Sequence, residues 1–145
     1  MTEVLAAMSH PSIPRVTIRE HGNVRSGPDN QLSLRYIEAS DRVGYDFFEL
    51  AWLRLNGDVW ERCASLSAAH FQVGASLPRW VSQLHSFDAS KRTAIIMVGE
   101  IDSPDPHHHK AVYSWRSCKW LDGGFVELEL LRVCSDPFEP FTNGS

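Results

Sequence analysis

His107, His108 and His109 stand side by side, with Glu100, Asp102 and Asp105 just upstream. Imidazole nitrogens hold zinc, copper or nickel, and short histidine tracts bind such ions. Neighbouring side chains of an extended chain point opposite ways, so three adjacent histidines cannot converge on one ion. His107 and His109 are the metal-ligand candidates, with Glu100, Asp102 and Asp105 able to complete a shell, and the tract follows Pro104 and Pro106 in a loop. Solvated histidines are the simpler expectation, with no metal and no cofactor.

Cys63 and His70 invite reading as a thiol and its base. On a helix, seven residues separate their backbones by ~10 Å along the axis, whereas such a dyad needs a reach of about 3 Å. A packed thiol and imidazole are expected instead. Glu127 and Glu129, two apart on a strand, place carboxylates on one side about 7 Å from each other. One could act as general base and the other orient it, with His85 as a third acid–base candidate. Lys119 opposite Glu127 makes an exposed cross-strand ion pair the simpler reading.

Trp80, Tyr113, Trp115 and Trp120 are the aromatics that could line a small-molecule pocket, where Arg116 and His85 would fix a ligand's orientation. The competing reading is that they fill a core. No nucleophile elbow, phosphate loop, zinc-protease motif or dinucleotide fingerprint occurs.

The elements that must position these groups follow from periodicity. Alternating apolar residues predict strands over 13–20 and 32–38, joined by a Gly/Pro/Asn/Asp loop. Residues 45–55 stay open: their aromatics and the Asn56-Gly57 turn favour a strand, while Ser40 as cap and Gly57 as stop favour a helix. Asp58 and Glu61 form a capping box ahead of Val59, Cys63, Leu66 and His70 at helical spacing, with Gly74 as stop, which predicts a helix over 59–71. Leu77, Trp80, Val81 and Leu84, with Ser76 as cap and Pro78 in the first turn, predict another. Strands return at 94–98, 110–121 and 125–134.

The last two strands surround Asp122-Gly123-Gly124. A three-residue loop pairs Leu121 with Phe125, Lys119 with Glu127, Cys118 with Leu128 and Trp115 with Leu131. A two-residue loop would set Lys119 against Val126 and Cys118 against Glu127, and is disfavoured. In the favoured register the apolar face reverses beyond Arg116 and Leu130. Either the hairpin bends at bulges or one end packs on a second subunit, and a homo-oligomer is expected.

Composition sets the outer limits. The 145 residues, 43% hydrophobic and 22% charged, with five Trp and seven Phe, suit a single domain with a real core. They exclude a disordered chain. The longest apolar run, 94–98, falls far short of the ~20 residues of a membrane helix. A net charge of -4 and no basic run argue against nucleic acid. Three scattered cysteines and an N-terminus without a signal-peptide core predict a cytoplasmic protein. Residues 1–10 and 137–145 are expected to fray.

Together these readings predict an α+β domain: one antiparallel sheet of about 4–6 strands, with 2–3 helices on one face and a long hairpin at the end. The expected function is non-catalytic binding of a small apolar or aromatic molecule in an aromatic-lined pocket. The alternatives are a cofactor-independent hydrolase or isomerase, and a protein-interaction module of immunity or antitoxin type.

Overall fold

Alternation along residues 32–37 sends Leu32, Leu34 and Tyr36 to one face, and Phe48, Leu50 and Trp52 of the next strand stand directly opposite them. These pairs anchor a first sheet in a computed structural model that describes residues 16–39, 47–69, 79–102, 110–122 and 124–142. Its strands are β1 (Val16–Ser26), β2 (Asn30–Ala39), β3 (Phe47–Asn56) and β4 (Val59–Ala69), antiparallel in chain order. The second sheet repeats that plan with β5 (Arg79–Asp88), β6 (Thr93–Ile101), β7 (Ala111–Leu121) and β8 (Gly124–Cys134).

The two sheets face each other across one apolar layer. Leu34, Leu50 and Trp52 from the first meet Val81, Ile96, Cys118 and Trp120 from the second. Polar contacts tie β1 and β2 to β5. The Tyr36 hydroxyl donates to the Val81 carbonyl, His21 Nε2 lies 2.9 Å from the Ser82 carbonyl, and the Ala89 amide donates to Ser26 Oγ at 2.9 Å. On the other side no strand pairing joins β4 to β8 among the described residues. No pairing joins β1 to β5 either, but among the described residues the sheets pack closest there and stand farther apart at β4 and β8.

A smaller cluster covers the outer face of the second sheet. Met97, Trp115 and Cys134 are buried there beneath Phe141. Residues 135–142 lie across this face: Trp115 Nε1 donates to the Glu139 carbonyl at 3.2 Å, and Gln83 donates to the Pro137 carbonyl.

The α+β expectation is overturned. The described residues form eight strands in two sheets and no helix, and the physical reasons are local. In β4, Ala64 and Leu66 point inward while Glu61, Ser65 and Ser67 are exposed. Leu66 thus satisfies both a helical and a strand pattern, and pairing with β3 decides between them. Glu61 caps no helix; it accepts from Asn56 Nδ2 at 3.0 Å across the turn. That turn closes with Asn56 opposite Val59 and Gly57 at φ 64° in the first central position, as a type II′ hairpin requires. The open segment 45–55 is resolved as β3, from Phe47 onward.

The expected second helix is β5, and its deception is instructive. Pairing with β6 skips Ser82 and His85, so Val81, Leu84 and Phe87 stand opposite Val98, Ile96 and Ala94. Two bulges give inward residues a spacing of three, which imitates one face of a helix.

The final hairpin also departs from expectation. It takes the disfavoured register, with Lys119 opposite Val126 and Cys118 opposite Glu127. Bulges at Leu128 and Leu131 then shift the pairing twice. Ser117 meets Glu129 and Arg116 meets Leu130, and further on Trp115 meets Arg132. The reversal of apolar face is absorbed by these bulges.

Candidate ligand cavity between the sheets

The open side of the sandwich leaves a cavity of about 510 Å³. Phe48 of β3 and Leu66 of β4 form one wall; Val81, Ile96 and Val98 form the other, and Phe125 and Val126 of β8 flank the mouth. Trp80 borders it, its ring lying over Gly99, where an added Cβ would fall 2.5 Å from Trp80 Cε2. Glycine at position 99 is thus what lets the indole settle on the sheet. Tyr113 meets that indole edge-on at 5.9 Å, and burial raises its phenol pKa.

Four charged side chains from four successive strands close one end. Arg79 Nη2 donates to both oxygens of Glu127 at 2.9 and 3.0 Å, and Arg79 Nε lies 3.2 Å from Glu100 Oε2. Arg116 completes the ring at longer range, 3.9 Å from Glu100 Oε1 and 3.9 Å from Glu127 Oε2. Its Nε donates to Ser114 Oγ at 2.9 Å. Arg79 and Glu127 line the cavity directly; Arg116 stands just behind that lining as the cross-strand partner of Ile96, which belongs to it.

Beneath the ring, Cys118 pairs with Glu127 and is 1% exposed. Burial first, and the Glu127 charge to a lesser degree, push its thiol up to about 12, so it is no nucleophile. Trp120 packs edge-on against Phe125 at 4.9 Å, with its indole N–H buried and without an acceptor among the described residues.

The expected ligand-binding residues divide. Trp80 borders the cavity, Arg116 joins its charged rim, and Trp120 backs it through Phe125. Trp115 lies on the outer face under Phe141, and Tyr113 packs against Trp80 without lining the cavity itself. The acid–base candidates are not brought together. Glu127 is clamped by Arg79, while the bulge at Leu128 turns Glu129 to the opposite face beside Ser117. His85, itself a bulge residue, packs against Phe141 at 4.8 Å on the outer face.

Cys63 is exposed at the bulge in β4, whereas His70, His107, His108 and His109 lie outside the described residues. Among the described residues no cluster of His, Cys, Asp or Glu is arranged to hold a metal. Nor is any helix there long and apolar enough to cross a membrane.

Sequence reasoning missed Arg79 and Phe48, and it placed Glu100 beside the histidine tract and Leu66 on a helix face rather than at this cavity. Arg79 and Glu100 are cross-strand partners 21 residues apart, a juxtaposition only the β5–β6 register reveals. Compared with protein-family models, curated proteins and solved structures, the chain matches none.

Proposed function

We propose that this chain is a non-catalytic binding protein that holds a small, partly apolar molecule between its two sheets. The observation that carries this reading is the apolar cavity of about 510 Å³ capped by a charged ring. Ligand pockets run from about 300 to 1,000 Å³, with mainly apolar walls and a few polar groups that fix orientation. The hydrolase or isomerase reading loses support because Glu127, Glu129 and His85 do not converge on one space.

The test is the melting temperature across a panel of apolar metabolites. A ligand at a hundredfold excess over its Kd stabilises the fold by about 2.7 kcal/mol. A rise that disappears in Leu66→Trp, which fills the cavity, is the expected result. A panel that shifts nothing overturns the reading.

A second reading concerns partners. Leu128, Leu130 and Val133 of edge strand β8 are 54%, 50% and 63% exposed, which favours contact with a second copy of the chain. Light-scattering mass at micromolar concentration decides it, and a monomer ends it. The exposed free thiol of Cys63 supports a reducing, cytoplasmic setting.

A further inference from the structure

We infer that the ligand of this cavity carries a carboxylate, held by Arg116 at the charged rim, with its hydrocarbon body between the sheets. This rests on the binding reading above and names the chemical class it would take.

The ring holds two guanidinium groups and two carboxylates, so its formal charge is zero and charge alone selects nothing. The four groups are not equally engaged. Both oxygens of Glu127 accept from Arg79 at 2.9 and 3.0 Å, and Glu100 forms an ion pair with Arg79 Nε at 3.2 Å. Arg116 uses Nε on Ser114. Among the described residues its two terminal nitrogens reach no closer than 3.9 Å to a carboxylate oxygen, whereas an N–H···O bond needs about 2.7–3.2 Å.

Arg116 is also the least exposed member of the ring, with 23% of its side chain accessible against 43% for Arg79. The guanidinium least able to turn to water is thus the one with idle donors. Two terminal nitrogens in a plane match the two oxygens of a carboxylate. Arg116 is the cross-strand partner of Ile96, a residue of the cavity wall, so an acid bound to it would lay its body along Ile96 and Val98.

Calorimetric titration with decanoate, decanol and decylamine, each below its aggregation concentration, tests the head and the body separately. Decanoate is expected to bind at least tenfold tighter than decanol, and decylamine weakest. Arg116→Gln should weaken decanoate about tenfold, the worth of a charge-assisted hydrogen bond, and leave decanol unchanged. Glu127→Gln, which removes a competing negative charge, should tighten decanoate.

If Arg116→Gln fails to fold, Arg116→Lys keeps the charge without the fork, and decanoate should still weaken. Equal affinity for decanoate and decanol overturns the headgroup assignment and leaves the cavity reading standing, as does decylamine binding tightest. Binding of none of the three overturns both.

Discussion

Two clusters of arginine and glutamate sit on opposite sheets of this molecule, built from the same chemistry and put to different ends. On the first sheet, Arg35 and Glu49 are cross-strand partners whose side chains are 3% and 5% exposed. Glu49 also takes Arg62 at 3.0 Å, and Ser33 donates to Glu20 at 3.1 Å nearby. The space they enclose, about 70 Å³, suits water, and Arg35 Nη1 is buried without an acceptor among the described residues. On the second sheet the ring of Arg79, Glu100, Arg116 and Glu127 is 23–43% exposed and opens on a cavity of about 510 Å³. Burial separates a lock from a rim. A desolvated pair cannot exchange its partner without stranding a charge, whereas a half-exposed ring can admit a ligand group.

The sharpest way to break that contrast is to remove one acid from each cluster. Glu49→Ala leaves Arg35 buried and uncompensated, and should cost about 3–5 kcal/mol by urea denaturation. Replacing Arg35 and Glu49 together by leucine should recover most of that loss, since the desolvated charges go with it. A mild effect of Glu49→Ala would show that the first cluster is as open as the second.

The thiol beneath the rim offers a pH test. Cys118 is held neutral by burial, with its pKa raised from 9.0 to about 12. The stability it contributes is complete below its unfolded pKa of 9.0 and fades as pH rises toward about 12. The slope attributable to this group is about 1.4 kcal/mol per pH unit. Cys118→Ala should flatten it, as read by denaturation at several alkaline pH values. Identical pH dependence in both proteins would mean that the rim does not seal the layer below it.

Gly99→Ala probes the cavity wall. The new methyl must displace the Trp80 indole, and overpacking of this kind costs about 1–3 kcal/mol. Tryptophan emission should shift with it and decanoate binding weaken. Unchanged emission would place Trp80 elsewhere than over Gly99.

Glu127→Gln should have the smallest effect on stability, about 1 kcal/mol or less, because exposed ion pairs contribute little. Set beside Glu49→Ala, it measures the difference between the clusters directly.

Legibility in the sequence followed the same division between local and distant causes. Strand alternation at 32–38 and the strand runs at 94–98, 110–121 and 125–134 could be read from neighbours alone, and those segments are strands. Of the rim, Arg116 and Glu127 were noticed for their chemistry and Glu100 only for its nearness to the histidine tract, while Arg79 carried no local signal. The helices expected at 59–71 and 77–84 failed because Leu66 fits two periods and because bulges at Ser82 and His85 give β5 a spacing of three.

What the sequence by itself determined was where apolar residues cluster and where the chain must turn, as at Gly57 with its φ of 64°. Those properties are set by a residue and its near neighbours. Tertiary structure alone decided the register of the last hairpin, the opposite facing of Glu127 and Glu129, and the meeting of four charged side chains from four strands. A bulge changes which face every later residue takes without changing composition, and only the partner strand's hydrogen bonds determine where it falls.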